Sequence, residues 1–277
     1  MQIKELPYMG FGLRLRKEYL PRVLQQRPDV DWFEVISENY LGEQNEDLLQ
    51  LEQVRKSYPI VMHGISLAIG SPWPLDRSYL ARLKNLIERL QPAWISDHLC
   101  WSGADDMQGR MLPLPYSEDA LDHIVPRIRE VQDYLGRQVL LENVPMEHTD
   151  RAPEIPEAEF LQAVAEQSDS LILLDAANLH ASSVNQGFDP LKYLWKLPRQ
   201  RVQQIHLGGA VILCGMEERD DQYLADPIWS LYASALQRFG PISTMIERMD
   251  TIAPLEEMVD ELHKARFHAD KVLSAEE

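Results

Sequence analysis

QVLLENV (138–144) sets Val139, Leu140 and Leu141 side by side and then stops on a carboxylate, Glu142. A short apolar run of this kind reads as a strand buried on both faces, as in a parallel sheet covered by helices. A carboxylate closing such a strand is costly unless it is paired or bound to a cation. LILLDAAN (171–178) has the same form and carries Asp175. Six further runs share the pattern: GFGLRL (10–15), WFEVIS (32–37), PIVMHG (59–64), AWISDHL (93–99), VQQIHLGG (202–209) and STMIERM (243–249). Six of the eight carry His63, His98, Glu142, Asp175, His206 and Glu247. The gaps between these residues are 35, 44, 33, 31 and 41 residues, each close to one strand-plus-helix unit.

Between the runs, apolar residues recur at three- and four-residue steps, which predicts helices over 46–57, 76–90, 117–136, 156–167, 226–240 and 254–268. Asp76, Ser117 and Asp226 are suited to N-caps, Pro227 to a first helical position, and Gly136 and Gly240 to helix stops. Alternating strand and helix over 277 residues predicts an α/β fold, a (β/α)8 TIM barrel, with a doubly wound sheet as the alternative. No linker or composition break divides it, so residues 1–270 are expected to form one domain and 271–277 a loose tail.

In a parallel barrel every strand C-terminus opens on the same face, so the six polar residues should converge there. A lone histidine or carboxylate at a strand end is ordinarily structural. Six on consecutive strand ends point to a metal cluster instead, and mixed nitrogen and oxygen donors suit iron, manganese or zinc. The net charge of −17 argues against a nucleic-acid partner. No apolar run is long enough to cross a bilayer, and no basic-then-apolar leader opens the sequence. Two cysteines far apart, Cys100 and Cys214, fit a reducing cytoplasm. No P-loop, GxGxxG after a strand, or GxSxG is present.

Other residues are read more plainly. Glu38 and Asn39 follow the second strand on the mouth side, either to meet substrate or to cap backbone groups. His180 is expected not to be a ligand. His123 and His148 are expected on a helix surface and in a loop, and Trp73, Trp94, Trp101 and Trp229 in packing. Cys100 reads as a small buried apolar residue.

The stretches FEVISENYL, MHGISLAIGSPWPLD, ISDHLCWSG, LPLPYSEDALDHI, LLENVP, LLDAANLH, GFDPLKYL, IHLGG, DPIWSLY and IERMD resemble the multinuclear non-haem iron family typified by the methanobactin-maturation oxidase. The likeness runs from about residue 10 to residue 255. It implies a xylose-isomerase and endonuclease-IV type of TIM barrel with two or three irons. It also implies dioxygen-dependent modification of cysteine in a ribosomally made precursor peptide, often with a small partner protein that binds the peptide leader. Residue by residue, His63 and His98 would hold one metal, and Glu142 would bridge to a second completed by Asp175, His206 and Glu247. Asn178 matches a ligand of a third metal.

The sequence departs from the family pattern in one region. The family's HLxGH reads HLGGA here, with Ala210, and Glu218 and Asp220 fall where an Asp-x-His pair is usual. The third site would then have oxygen ligands only, unless EERDD is simply a solvated acidic loop. The resulting expectation is an iron-dependent oxidase or oxygenase acting on peptidyl cysteine. The alternatives are a metal-dependent hydrolase or isomerase of phosphodiesters or sugars on the same barrel, and a metal-binding member with a degenerate third site.

Overall fold

Apolar strands that need cover on both faces find it by closing on themselves inside a ring of helices. In a computed structural model, described over residues 6–42, 46–101, 111–146, 153–208, 226–248 and 252–274, this closure is complete. The strands are β1 (Phe11–Arg14), β2 (Trp32–Ile36), β3 (Ile60–Gly64), β4 (Ile95–His98), β5 (Leu140–Glu142), β6 (Leu171–Asp175), β7 (Val202–Gly208) and β8 (Ser243–Glu247). Each pairs in parallel with the next, and β8 pairs with β1 to shut the barrel.

The helices outside are α1 (Leu20–Gln26), α2 (Glu46–Arg55), α3 (Arg77–Leu90), α4 (Glu118–Leu135), α5 (Glu157–Ser168), α6 (Ala176–Gln186), α7 (Pro190–Lys196), α8 (Asp226–Phe239) and α9 (Leu255–Leu273). Asp76 and Ser117 cap α3 and α4 with their side chains, and Gly136 ends α4 at φ 70°, a left-handed conformation that glycine adopts without strain. Asp226 lies in the first turn of its helix rather than before it. Three helices, α1, α6 and α7, have no counterpart in the sequence reading. The run LILLDAAN breaks at Asp175, where the chain turns directly into α6. The tail expected from residue 271 is helical through Leu273.

Alternation along each strand sorts the side chains into two sets. One set packs outward against the helices in the larger apolar core, with Phe33, Val35, Met62, Leu141, Ile172 and Ile205 among its members. The other points into the barrel. Its floor is a separate apolar cluster of Trp32, Val61, Trp94, Leu140, Leu171, Leu173 and Met245, in which Trp32 meets Trp94 edge-on at 5.7 Å. The Trp32 ring lies so close to β1 that a Cβ on Gly12 would run into it. Two residues further along each strand the interior becomes polar, and that change of layer places the site.

A candidate metal centre of two buried triads

The polar layer contains two groups of three side chains, each with donor atoms within 4.8 Å of one another and each able to hold a metal ion. His63, His98 and Glu142 form the first; Glu142, Asp175 and His206 form the second, and all five residues are buried. In the first, Glu142 Oε2 lies 3.1 Å from His63 Nε2 and 3.3 Å from His98 Nε2, and the two nitrogens are 3.4 Å apart. In the second, Glu142 Oε1 lies 3.4 Å from His206 Nδ1. One carboxylate thus turns one oxygen to each group.

The outer contacts of the imidazoles decide which nitrogen faces inward. His98 Nδ1 donates to the Gly64 carbonyl at 3.2 Å, since a carbonyl can only accept. His63 Nδ1 lies 2.8 Å from Ser96 Oγ, whose own hydroxyl points to the Met62 carbonyl. Both rings therefore turn Nε2 toward a carboxylate oxygen, a contact that either a proton on the ring or a bound cation satisfies. Glu142 Oε2 and His206 Nδ1 have no hydrogen-bond partner despite being buried. Such orphaned donor atoms are expensive in a protein interior unless a metal or a proton satisfies them. The residues present fit a metal pair.

The local charges follow from the same crowding. Burial pushes His98 down to about 4, so this ring is neutral and available as a ligand. Burial, and then the Glu142 charge, push Asp175 up to about 7. Burial acts against the Glu142 charge as well, yet His98, His206 and His63 hold its carboxyl well below the ordinary range. Burial works against a charged His206, but Glu34 and Glu142 carry its ring up to about 10.

Asp175 serves twice, because its Oδ1 also accepts the Asn178 backbone N–H at 2.6 Å and caps α6. Asn143 fixes it from the other side, donating to its carbonyl and accepting its N–H. Glu247 stands beside the second group: Oε2 is 3.5 Å from His206 Nδ1, while Oε1 pairs with Arg14 of β1. Asn178 belongs to neither group, and its side-chain amide donates to the Asn143 carbonyl at 3.0 Å. Glu218, Asp220 and Ala210 lie outside the described residues, as does His148.

Glu38 caps backbone: its Oε1 accepts from Ile65 N–H and from the Tyr79 hydroxyl. His180 is half-buried on α6 and belongs to neither group. His123 is exposed on α4, with Nε2 at the Ser71 carbonyl. Cys100 is buried, as is Trp94, whereas Trp73 is exposed rather than packed.

Four polar residues of this layer escape a reading of strand ends: Arg14, Glu34, Ser96 and Gln204. Glu34 is 0% exposed, with Oε2 3.0 Å from His206 Nε2 and 2.7 Å from the Gln204 amide nitrogen. Its signal in the sequence is a charge inside the apolar run WFEVI. Ser96 and Gln204 sit two residues before His98 and His206, the step that brings a strand back to the same face.

A closed (β/α)8 barrel whose mouth gathers such donors belongs, by architecture, among the xylose-isomerase-like barrels. A D-tagatose 3-epimerase-like protein superposes with a TM-score of 0.64 at 15% identity, over 97% of this chain and 99% of that one. A D-psicose 3-epimerase crystallised in the presence of D-fructose gives 0.60 at 15% identity, over 96% and 99%. Likeness at this identity establishes the fold.

The chain belongs to the family of RiPP precursor modification enzymes MbnB/TglH/ChrH, enzymes acting on ribosomally synthesised peptides, whose sequence model matches residues 10–270. Its relatives include a UPF0276 protein of Anaeromyxobacter sp. (strain Fw109-5), 46% identical over 93% of this chain and 92% of that protein. Another, from Caulobacter vibrioides (strain NA1000 / CB15N), is 41% identical over 94% of each. Family and barrel both agree with the sequence-based expectation. No helix among the described residues is long and apolar enough to cross a membrane.

Proposed function

We propose that this chain is a multinuclear non-haem iron enzyme that uses dioxygen to modify a cysteine of a ribosomally made precursor peptide. One observation carries the reading: buried Glu142 is shared by two triads of metal-type donors. Two cations side by side repel each other strongly, and a bridging carboxylate offsets both. Iron bound there supplies a site for the peptide thiolate and a route for activating dioxygen.

The protein's own part is positional. His63 and His98 turn Nε2 inward, held from behind by Ser96 and the Gly64 carbonyl. Asp175 is fixed by Asn143 and by the first turn of α6. Arg14 holds one oxygen of Glu247, leaving Oε2 facing His206. The ligands sit at the strand ends and are themselves buried, which limits bulk water at the site. Exposed Ile65, Trp73 and Ile252 sit on loops after β3 and β8, on the mouth side, where a peptide chain can lie across them.

In this reading Asn178, Glu218 and Asp220 hold a third metal, iron is the metal with manganese or zinc as the alternatives, and the enzyme works in the cytoplasm, where the peptide cysteine stays reduced. A small partner protein binds the leader. The test is element analysis of protein from iron-grown cells together with oxygen uptake on a cysteine-bearing precursor peptide. At least two irons per chain and cysteine-dependent uptake are expected; less than one bound metal of any kind would refute the reading.

A further inference from the structure

Neither β1 nor β2 offers a candidate metal ligand, yet β2 sends a carboxylate into the barrel one layer beneath the site. Glu34 is fully buried, and its Oε2 meets His206 Nε2 at 3.0 Å on the side of the ring opposite the triad. Gln204 fixes that carboxylate. The Trp94 indole N–H can only donate, and it donates to Gln204 Oε1 at 2.5 Å, so the Gln204 amide nitrogen must face Glu34, 2.7 Å away. The same nitrogen is within hydrogen-bond reach of His206 Nε2 at 2.8 Å, so the Gln204 amide and the Glu34 carboxylate compete for that ring atom. The chain Trp94–Gln204–Glu34–His206 thus runs from the apolar floor to the ligand layer.

We infer that Glu34 is the positioning residue of the second triad. It accepts the Nε2–H of His206, which fixes the tautomer, aims Nδ1 at the shared centre and adds a buried negative charge behind a ligand of two cations. Carboxylates bonded to the distal nitrogen of a ligating histidine orient the ring and strengthen it as a donor. Glu34 belongs to neither triad. The inference rests on the two-metal reading and names the device that holds its second half in place.

The experiment uses Zn(II)-loaded full-length protein, wild type, Glu34→Gln and Glu34→Ala, with chelator competition for affinity and long-range proton–nitrogen NMR of the histidine rings. In the wild type, His206 should show a protonated Nε2 and a metal-bound Nδ1. Glu34→Ala should weaken one zinc by roughly 10–100-fold and leave the site of His63 and His98 close to wild type. Glu34→Gln keeps an acceptor but not the charge. It should retain Nδ1 ligation, shift the His206 Nε2–H resonance and recover most of the lost affinity.

Three results overturn the proposal. One is an unprotonated Nε2 in the wild type, bonded instead by Gln204. Another is an unmoved Nε2–H resonance in Glu34→Gln, a variant that preserves the shape of the core. The third is wild-type affinity for both zincs in Glu34→Ala. A wild-type protein that takes up no zinc would instead refute the two-metal reading itself, so the two failures are told apart.

Discussion

Glu142 is the residue on which both triads depend, and Glu142→Gln preserves its size while removing the charge that offsets two cations. Metal content should fall by about two ions per chain, because both triads lose their shared carboxylate at once. Element analysis of folded variant protein checks this, and normal metal content would show that the bridge is misassigned. The third site is tested in the same way. Changing both Glu218 and Asp220 to Ala should remove one metal and spare the pair held by His63, His98, Glu142, Asp175, His206 and Glu247. With oxygen donors only, that metal should also be the first lost to a mild chelator. The six strand-end residues were legible because burial makes a polar residue at the end of an apolar run conspicuous. Glu34 was not legible as part of the site, since its meaning depends on barrel closure, which brings β2 against His206 across 172 residues.

Among the elements, strands and long amphipathic helices could be read from period alone, whereas α1, α6 and α7 could not. Two of these, α1 and α7, are only seven residues long. The third begins inside what reads as a continuing strand, because Asp175 ends β6 and caps α6 with the same carboxylate. That double duty separates two variants. Asp175→Asn keeps a good N-cap and loses the charge, so it should bind less metal at nearly unchanged Tm. Asp175→Ala loses the cap too and should be less stable by about 1 kcal/mol. Equal stabilities would contradict the capping role. At the start of α5, Glu157 is buried with Oε1 bonded to the Tyr193 hydroxyl of α7 at 3.0 Å, and burial pushes its carboxyl up to about 7 against that hydrogen bond. A folded pKa above the unfolded one means stability that is full below about pH 4.5 and lost as pH rises towards 7. Glu157→Gln should therefore flatten the stability profile across that window and gain on the order of 2–3 kcal/mol relative to the parent at pH 8. Chemical denaturation at pH 5 and pH 8 measures the difference, and parallel profiles would show that Glu157 is not the titrating group.

For the whole molecule, closing eight parallel strands solves two problems with one geometry. The barrel covers both faces of each strand, and it brings residues far apart in sequence onto one mouth. The cysteine side chain expected at that mouth is too small a target to distinguish one peptide from another. The donors facing inward, three imidazoles and the carboxylates of Glu142 and Asp175, form the two triads and carry no feature that would read a peptide sequence. On the proposed reading, discrimination comes from loops around the rim or from a second protein that holds the peptide leader. The isolated chain, loaded with iron, should consume oxygen weakly or not at all on the full precursor peptide. Addition of a leader-binding partner should raise the rate by lowering KM more than it changes kcat, because tethering increases the local concentration of the cysteine without altering the metal site. Removing the leader from the peptide should abolish the gain while leaving the background rate. Oxygen uptake across these three mixtures decides the matter: full activity of the isolated chain on any short cysteine peptide would place selectivity in the mouth itself.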